Sequence, residues 1–265
     1  MDTATQSERA ETFRALHAGE PFVIPNPWDA GSARVLAALG FRALASTSSG
    51  FAFTLGRRDG STTLDDAAGH AATLANATEL PLSVDLENGY GREPEDAAAA
   101  VRRIAEAGAV GGSIEDWGAE DGIYEPELAV ERVTAAVEAA RRLPFPFTLT
   151  ARAENHIRGN PSLDDTIGRL QAFEAVGADV LYAPGLRTLD EIRAVCGALG
   201  KPVNVLARRD LTMAELVEAG AQRVSVGGAL TWTAVAAFAT TAEAIRERGD
   251  FSGLGTGPPL DDWFR

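Results

Sequence analysis

The residues best equipped for chemistry fall in three short segments. They are Pro81-Leu-Ser-Val-Asp-Leu-Glu87, Gly111-Gly-Ser-Ile-Glu-Asp116 and Phe147-Thr-Leu-Thr-Ala-Arg-Ala-Glu154. Each reads as a β-strand, along which side chains alternate between two faces. In the first segment, alternation puts Ser83, Asp85 and Glu87 on one face and Val84 and Leu86 on the other. In the second it pairs Ser113 with Glu115, opposite Ile114, and leaves Asp116 outward or in the following loop. In the third, Thr148, Thr150, Arg152 and Glu154 share a face opposite Leu149, Ala151 and Ala153. Carboxylates this close repel unless a proton or a cation intervenes. Hard oxygen ligands without histidine favour Mg²⁺ or Mn²⁺. Helix capping or plain solvent exposure would account for acids at these positions equally well. Arg152 beside acids could be a structural ion pair, or, with a cation, part of a site for a carboxylate or oxyanion substrate.

The elements that would position these groups show in a recurring glycine. A helical run ends, Gly40, Gly108, Gly177, Gly200 or Gly220 follows, and a β run begins within about three residues. Eight strands are predicted, at 22–26, 43–48, 81–87, 111–116, 147–154, 180–185, 202–207 and 223–228. Helices lie between them. Thr188-x-x-Glu191 and Thr212-x-x-Glu215 read as capping boxes, and Pro94 and Pro126 as first-turn prolines. One further helix at 6–18 precedes the first strand, and another at 230–248 follows the last. The pattern predicts an α/β fold, a (β/α)8 TIM barrel of one domain over 1–265. Its appendages are an N-terminal helix in 1–20 and a Gly/Pro-rich tail at 249–265. An open doubly wound sheet is the rival, weakened because no Gly-x-Gly-x-x-Gly follows a strand. In a barrel the C-terminal strand ends carry the active site, where all three segments place their acids.

Composition narrows the partners. The chain has 265 residues, 38 acidic and 24 basic, for a formal charge of −14, which argues against nucleic acid and anionic membrane. No apolar run of about 18 residues predicts a membrane span, and the N-terminal segment lacks a signal-peptide pattern, so a cytoplasmic location is expected. Cys196 is the only cysteine, which excludes a disulfide framework, a Cys-rich zinc site and an iron–sulfur cluster. Three scattered histidines argue against a His-based zinc site. Lys201 is the only lysine and precedes Pro202 at a strand start, a poor place for a Schiff base.

Taken in order and spacing, seven segments resemble the isocitrate lyase/phosphoenolpyruvate mutase superfamily over about residues 20–230. These are Asn26-Pro-Trp-Asp-Ala-Gly-Ser-Ala33, Ser46-Thr-Ser-Ser49, Gly56-Arg-Arg-Asp-Gly60, Asp85-Leu-Glu-Asn-Gly-Tyr-Gly91, Gly111-Gly-Ser-Ile-Glu-Asp116, Ala151-Arg-Ala-Glu-Asn155 and Arg223-Val-Ser-Val-Gly-Gly228. The resemblance implies a barrel that forms a homo-oligomer, commonly a tetramer, often with the last helix exchanged between subunits. It implies Mg²⁺ at Asp85, Glu87 and Glu115, partly through water. It implies 2-oxo or 2-hydroxy carboxylate substrates and a metal-stabilised enolate or similar oxyanion. Ser46, Thr47 and Ser48 would hold the substrate carboxylate, Asp59 matches an active-site aspartate, and Arg152 matches an arginine facing developing negative charge. With them we expect Glu154 in the catalytic set and Trp28 and Asn204 at the substrate.

The segment Asp116-Trp-Gly-Ala-Glu-Asp-Gly-Ile-Tyr-Glu125 lacks the Lys-Lys-Cys-Gly-His of the isocitrate and methylisocitrate lyase branch, and also the Asn- and Lys/Thr-containing gating segment of the mutase branch. The expected activity is cleavage of a C–C bond in a small acid, by retro-aldol or Claisen-type cleavage or by decarboxylation. Phosphonopyruvate hydrolase or mutase chemistry at a P–C bond and a ligand-binding barrel without chemistry are the alternatives. Residues 117–125 are expected to form a gate over the pocket, or a fixed contact through Trp117 and Tyr124. Asp29 is read as a helix N-cap, His156 as a loop histidine that could face the pocket, and Cys196 as packing on a helix.

Overall fold

The computed structural model describes residues 5–255 and 257–264. Ten strands form: β1 (Phe22–Ile24), β2 (Leu44–Ala45), β3 (Leu82–Asp85), β4 (Gly111–Glu115), β5 (Trp117–Gly118), β6 (Gly122–Ile123), β7 (Thr148–Arg152), β8 (Val180–Tyr182), β9 (Val203–Leu206) and β10 (Arg223–Ser225). Eight of them make one sheet in the order β1-β10-β9-β8-β7-β4-β3-β2, and β5 pairs only with β6. Every pairing in the large sheet is parallel, and chain order is spatial order. The remaining seam, between β1 and β2, is bridged where the Ala45 N–H donates to the Pro25 carbonyl at 3.0 Å. This is a (β/α)8 barrel. All eight predicted strands occur, each inside its predicted span. The β5–β6 hairpin was not predicted.

The helices are α1 (Gln6–Ala18), α2 (Ala30–Ala38), α3 (Ser48–Thr54), α4 (Leu64–Ala77), α5 (Pro94–Glu106), α6 (Pro126–Arg141), α7 (Leu163–Ala175), α8 (Leu189–Gly197), α9 (Met213–Glu218), α10 (Ala229–Arg248) and α11 (Leu260–Trp263). Both predicted capping boxes are made, and Pro94 and Pro126 open their helices. Asp29 caps α2 by accepting from the Ser32 N–H at 2.7 Å. The tail is not featureless: it forms α11, and Arg34 of α2 lies over the Phe264 ring.

Alternation sorts the strand side chains as expected. Val84, Ile114 and Leu149 face outward into the main core with Leu74, Val101, Ile104 and Val133 of the helices. The inward face is polar: Ser83, Thr148, Thr150, Asn204, Arg223 and Ser225 are all buried. The N-terminal end of the barrel is stoppered by α1, whose fully buried Phe13 packs with Phe22, Ile24 and Val110. Burying such a ring stabilises by roughly 1.5–3 kcal/mol. Only glycine fits at Gly111, since a β-carbon there would meet the Phe13 ring at 2.7 Å. On the same end lies a recess of about 660 Å³ bordered by Arg14, Arg141, Phe145 and Lys201. With the bottom closed, the interior opens at the C-terminal strand ends.

Candidate active site

Three neighbouring strands deliver the central cluster. Arg152, ending β7, donates from Nη1 to Asp85 Oδ1 at 2.9 Å, at the end of β3. Its Nη2 lies 2.9 Å from Glu115 Oε2, at the end of β4, and 2.8 Å from Glu154 Oε1. Nε also donates to Glu154 Oε1, at 3.1 Å. The register explains the convergence, because Asp85 pairs beside Ser113 and Glu115 beside Arg152. Burial works against the Arg152 charge, but Glu154, Glu115 and Asp85 outweigh it and hold the guanidinium above its ordinary value. Glu115 moves up for the opposite reason: burial dominates, Arg152 opposes it, and Glu154 and Asp85 add repulsion.

Glu87 reaches the site by another route than strand alternation. The strand ends at Asp85, and Glu87 adopts a left-handed backbone with φ 49°. Such a conformation is uncommon outside glycine. Here it turns the carboxylate toward Thr62, whose hydroxyl donates to Oε1 at 2.9 Å. Burial, and then the charges of Asp85 and Asp59, push its pKa up to about 7. Glu87 makes no ion pair among the described residues; the Thr62 hydroxyl and the more distant Arg152 charge offset the upward push only in part. The loop behind it is gripped by Arg132 of α6, which is 1% exposed. Its guanidinium donates to the carbonyls of Asn88, Gly91, Arg92 and Glu93.

Two adjoining spaces flank the cluster, sharing Ser48, Asp59 and Arg152. The inner cavity, about 190 Å³, descends the barrel axis past Ser46, Thr47, Asp85, Tyr182 and Asn204. The outer chamber, about 790 Å³, lies between the loop after β3 and the β5–β6 hairpin, with Glu87, Glu115, Trp117 and Arg158 in its walls. Ser46, Thr47 and Ser48 are not strand residues. Thr47 caps α3, accepting from the Gly50 N–H at 3.3 Å; Ser46 Oγ accepts from the Asp85 N–H at 2.9 Å; and the Ser48 N–H faces Asp85 Oδ2 at 3.4 Å. Asp59 is exposed at the mouth. Asn204 lines the inner cavity but already accepts from Arg223 and donates to Ser225. Trp28 lines neither space; it borders a groove with Phe51 and His70. His156 is buried and lines neither.

Some site residues were not foreseen. Arg158 stacks on Trp117, 3.5 Å from the ring centre, and pairs with Glu154 at 3.3 Å. The Tyr182 ring lies under Arg152 at 5.3 Å. Arg158 lies in the loop after β7, where spacing carries little signal and only the cation in Asn155-His-Ile-Arg158 hinted at it; Tyr182 ends β8, beside Arg152 in the strand register. Asp116 is structural: it accepts from the Glu154 N–H at 2.7 Å and pairs with Arg169 at 3.1 Å.

The donor chemistry fits a hard divalent cation. Glu87 brings a half-buried carboxylate with no ion pair among the described residues, and Asp85 and Glu115 bring oxygens from adjacent strand ends. Among the described residues no three Asp, Glu, His or Cys side chains converge closely enough to hold an ion directly, and Asp85 and Glu115 are paired with Arg152, so a cation here would need water to complete its shell.

A barrel with charged groups gathered at its C-terminal strand ends belongs to the class of (β/α)8 enzymes. The family model for phosphoenolpyruvate phosphomutase matches residues 13–246. A Burkholderia cenocepacia J2315 structure named as a lyase/mutase is 51% identical and has a TM-score of 0.94, covering 98% of this chain and 96% of that one. An oxaloacetate decarboxylase of Bradyrhizobium sp. strain BTAi1 is 31% identical over 251 residues, 90% of this chain and 85% of its own. The structure of 2,3-dimethylmalate lyase, a PEP mutase/isocitrate lyase superfamily member, is 26% identical with a TM-score of 0.86, covering 99% of this chain and 94% of that one. The chain belongs to the phosphoenolpyruvate phosphomutase family and is an enzyme of the isocitrate lyase/PEP mutase superfamily.

Proposed function

We propose that the protein is a lyase that breaks a C–C bond in a small 2-oxo or 2-hydroxy carboxylic acid, by retro-aldol or Claisen-type cleavage or by decarboxylation. The observation that carries this is the Arg152 guanidinium, held at the junction of the two spaces by Asp85, Glu115 and Glu154. A fixed cation at the point where an enolate oxygen forms lowers the barrier without reorganising at the moment of reaction. Glu154 orients the guanidinium through two of its nitrogens. Ser46, Thr47 and Ser48 receive the substrate carboxylate at the inner cavity, and Asp59 stands at its mouth. Asp85, Glu87 and Glu115 would hold Mg²⁺ or Mn²⁺, which supplies a Lewis acid beside the developing oxyanion. The leaving fragment projects into the outer chamber. The names of two relatives, a decarboxylase of oxaloacetate and a lyase of 2,3-dimethylmalate, support this substrate class.

The second reading is chemistry at a P–C bond, favoured by the family model's own description. A panel of 2-oxo and 2-hydroxy acids and phosphonopyruvate, assayed for pyruvate, CO₂, glyoxylate and phosphate, separates the two. Pyruvate, CO₂ or glyoxylate without phosphate is the expected result; release of phosphate, or isomerisation of phosphonopyruvate to phosphoenolpyruvate, would overturn it. We further propose a cytoplasmic homo-oligomer, dimer or tetramer, with the last helix exchanged between subunits. No helix among the described residues is long and apolar enough to cross a membrane.

A further inference from the structure

Arg223 carries a charge that nothing in the fold answers. It opens β10, points into the barrel and is 5% exposed. Its Nε donates to Asn204 Oδ1 at 2.8 Å and its Nη2 to Thr150 Oγ1 at 3.0 Å. Its Nη1 lies 3.2 Å from His17 Nε2. His17 Nδ1 faces the Phe13 carbonyl at 2.8 Å, and a carbonyl only accepts, so Nδ1 carries the proton and Nε2 is the acceptor. All three partners are therefore neutral. A guanidinium has five N–H groups, so two remain without an acceptor among the described residues.

Other buried guanidinia are treated differently. Arg152 meets three carboxylates, and Arg169 meets Asp116 and Asp165. Arg132 has its four carbonyls, with Asp96 and Glu93 near enough to help. Around Arg223, among the described residues, no Asp or Glu forms an ion pair; burial pushes its pKa down to about 10, and only the Tyr182 phenol offsets this. An isolated buried charge is costly enough that proteins pair it or neutralise it. Arg223 also borders open space: with Ser83, Ser113 and Ser225 it lines the inner cavity, whose 190 Å³ is several times the volume of one water, about 30 Å³.

We infer that the floor of the inner cavity binds one small monovalent anion, chloride or a carboxylate of formate size, on the spare N–H groups of Arg223 and the serine hydroxyls around it. The site is distinct from the reacting end, because Arg223 reaches toward α1 at the stoppered end whereas Asp59 and Arg152 sit at the open one. It supplies the missing counter-charge, and it does not rest on the reaction assigned above.

Thermal unfolding in sodium gluconate, formate and chloride at one ionic strength tests it, since gluconate is far larger than a formate-sized site. Formate and chloride are expected to raise the wild-type Tm saturably, by about 3 °C or more. Arg223→Met should lose the response and Arg152→Lys should keep it. Equal Tm values in the three salts would overturn the proposal, as would a response kept by Arg223→Met and lost by Arg152→Lys. Should Arg223→Met fail to fold, bromide-soaked wild-type crystals decide. An anomalous peak within hydrogen-bond distance of Arg223 Nη is expected, and a cavity holding only water overturns the site.

Discussion

At the scale of single residues, Arg152 is both a structural tie and a candidate catalyst, and the two roles predict different losses. Arg152→Lys keeps a charge but removes the planar fork that spans three carboxylates. If the fork meets charge that develops only in the transition state, kcat should fall by on the order of 10²-fold or more. Steady-state kinetics with an active substrate would show this, and a change confined to KM would mean that Arg152 merely anchors the ground state. The acids around it predict a metal requirement. Chelation should abolish turnover, Mg²⁺ or Mn²⁺ should restore it, and Asp85→Ala should lose metal binding by calorimetry. Full turnover in metal-stripped protein would remove the metal from the mechanism. Cys196 is expected to take no part in this chemistry, since burial pushes its thiol up to about 11 and it packs against Gly220; Cys196→Ala should leave turnover within about threefold.

Among the elements, the β5–β6 hairpin is the candidate gate beside the outer chamber. Its far end is pinned: Tyr124 is 2% exposed, its N–H donates to the Asp116 carbonyl at 2.8 Å, and its hydroxyl accepts from Asn88 at 2.9 Å. Its tip is held more weakly, by the partly exposed Arg92–Asp121 pair, of a kind generally worth under about 1 kcal/mol. Residues 117–123 are therefore expected to exchange amide hydrogens readily in the free protein and to gain protection with Mg²⁺ and oxalate, while Tyr124 stays protected throughout. Strong protection of the tip in both states would make the hairpin a fixed wall. The eight barrel strands were legible because buried parallel strands are apolar runs bounded by capping glycines, and alternation found Asp85, Glu115 and Arg152. It reached Glu87 for the wrong reason, since a left-handed residue replaces the strand there. The seven-residue α3 starts at Ser48, where the run that reads as a strand over 43–48 ends, and is too short to show a helical period; hairpin strands of two residues have no period to detect. Arg158 joins the site through three-dimensional packing alone, whereas Tyr182 ends β8 beside Arg152 in the register.

For the whole molecule, buried histidines and buried acids pull stability in opposite directions with pH. Burial lowers His17 to about 3, with the Arg223 charge adding to it, and lowers His70 to about 4. Their contribution is complete above pH 6.5 and is lost as pH falls toward these values, by about 1.4 kcal/mol per unit for each group. Glu87 and Asp116, raised by burial to about 7 and 6, act oppositely: their contribution is complete below the ordinary carboxylate range and is lost as pH rises through those values. The two trends offset each other between about pH 4.5 and 6.5. Removing one histidine should unmask the acids, so His70→Gln should gain Tm relative to wild type on going from pH 6.5 to 5, by several degrees for roughly 2 kcal/mol. A constant difference across that range would show that His70 titrates normally. The surface of α10 makes a second prediction. Phe238 is 74% exposed and Trp232 45%, so light scattering should give a multiple of 27.8 kDa, and Phe238→Arg should lower it. A wild-type monomer would exclude the oligomer.

Lys201 lies beside the recess at the stoppered end of the barrel, opposite the acids and Arg152. As the only lysine in the chain, it is the one side-chain amine open to acylation. Coupling to an amine-reactive support through it would tether each molecule by its closed base and leave the mouth of the barrel facing the solution. For a lysine-rich protein the same chemistry would give a mixture of orientations, many with the mouth obstructed; here the fold itself supplies a single handle on the side where an attachment interferes least.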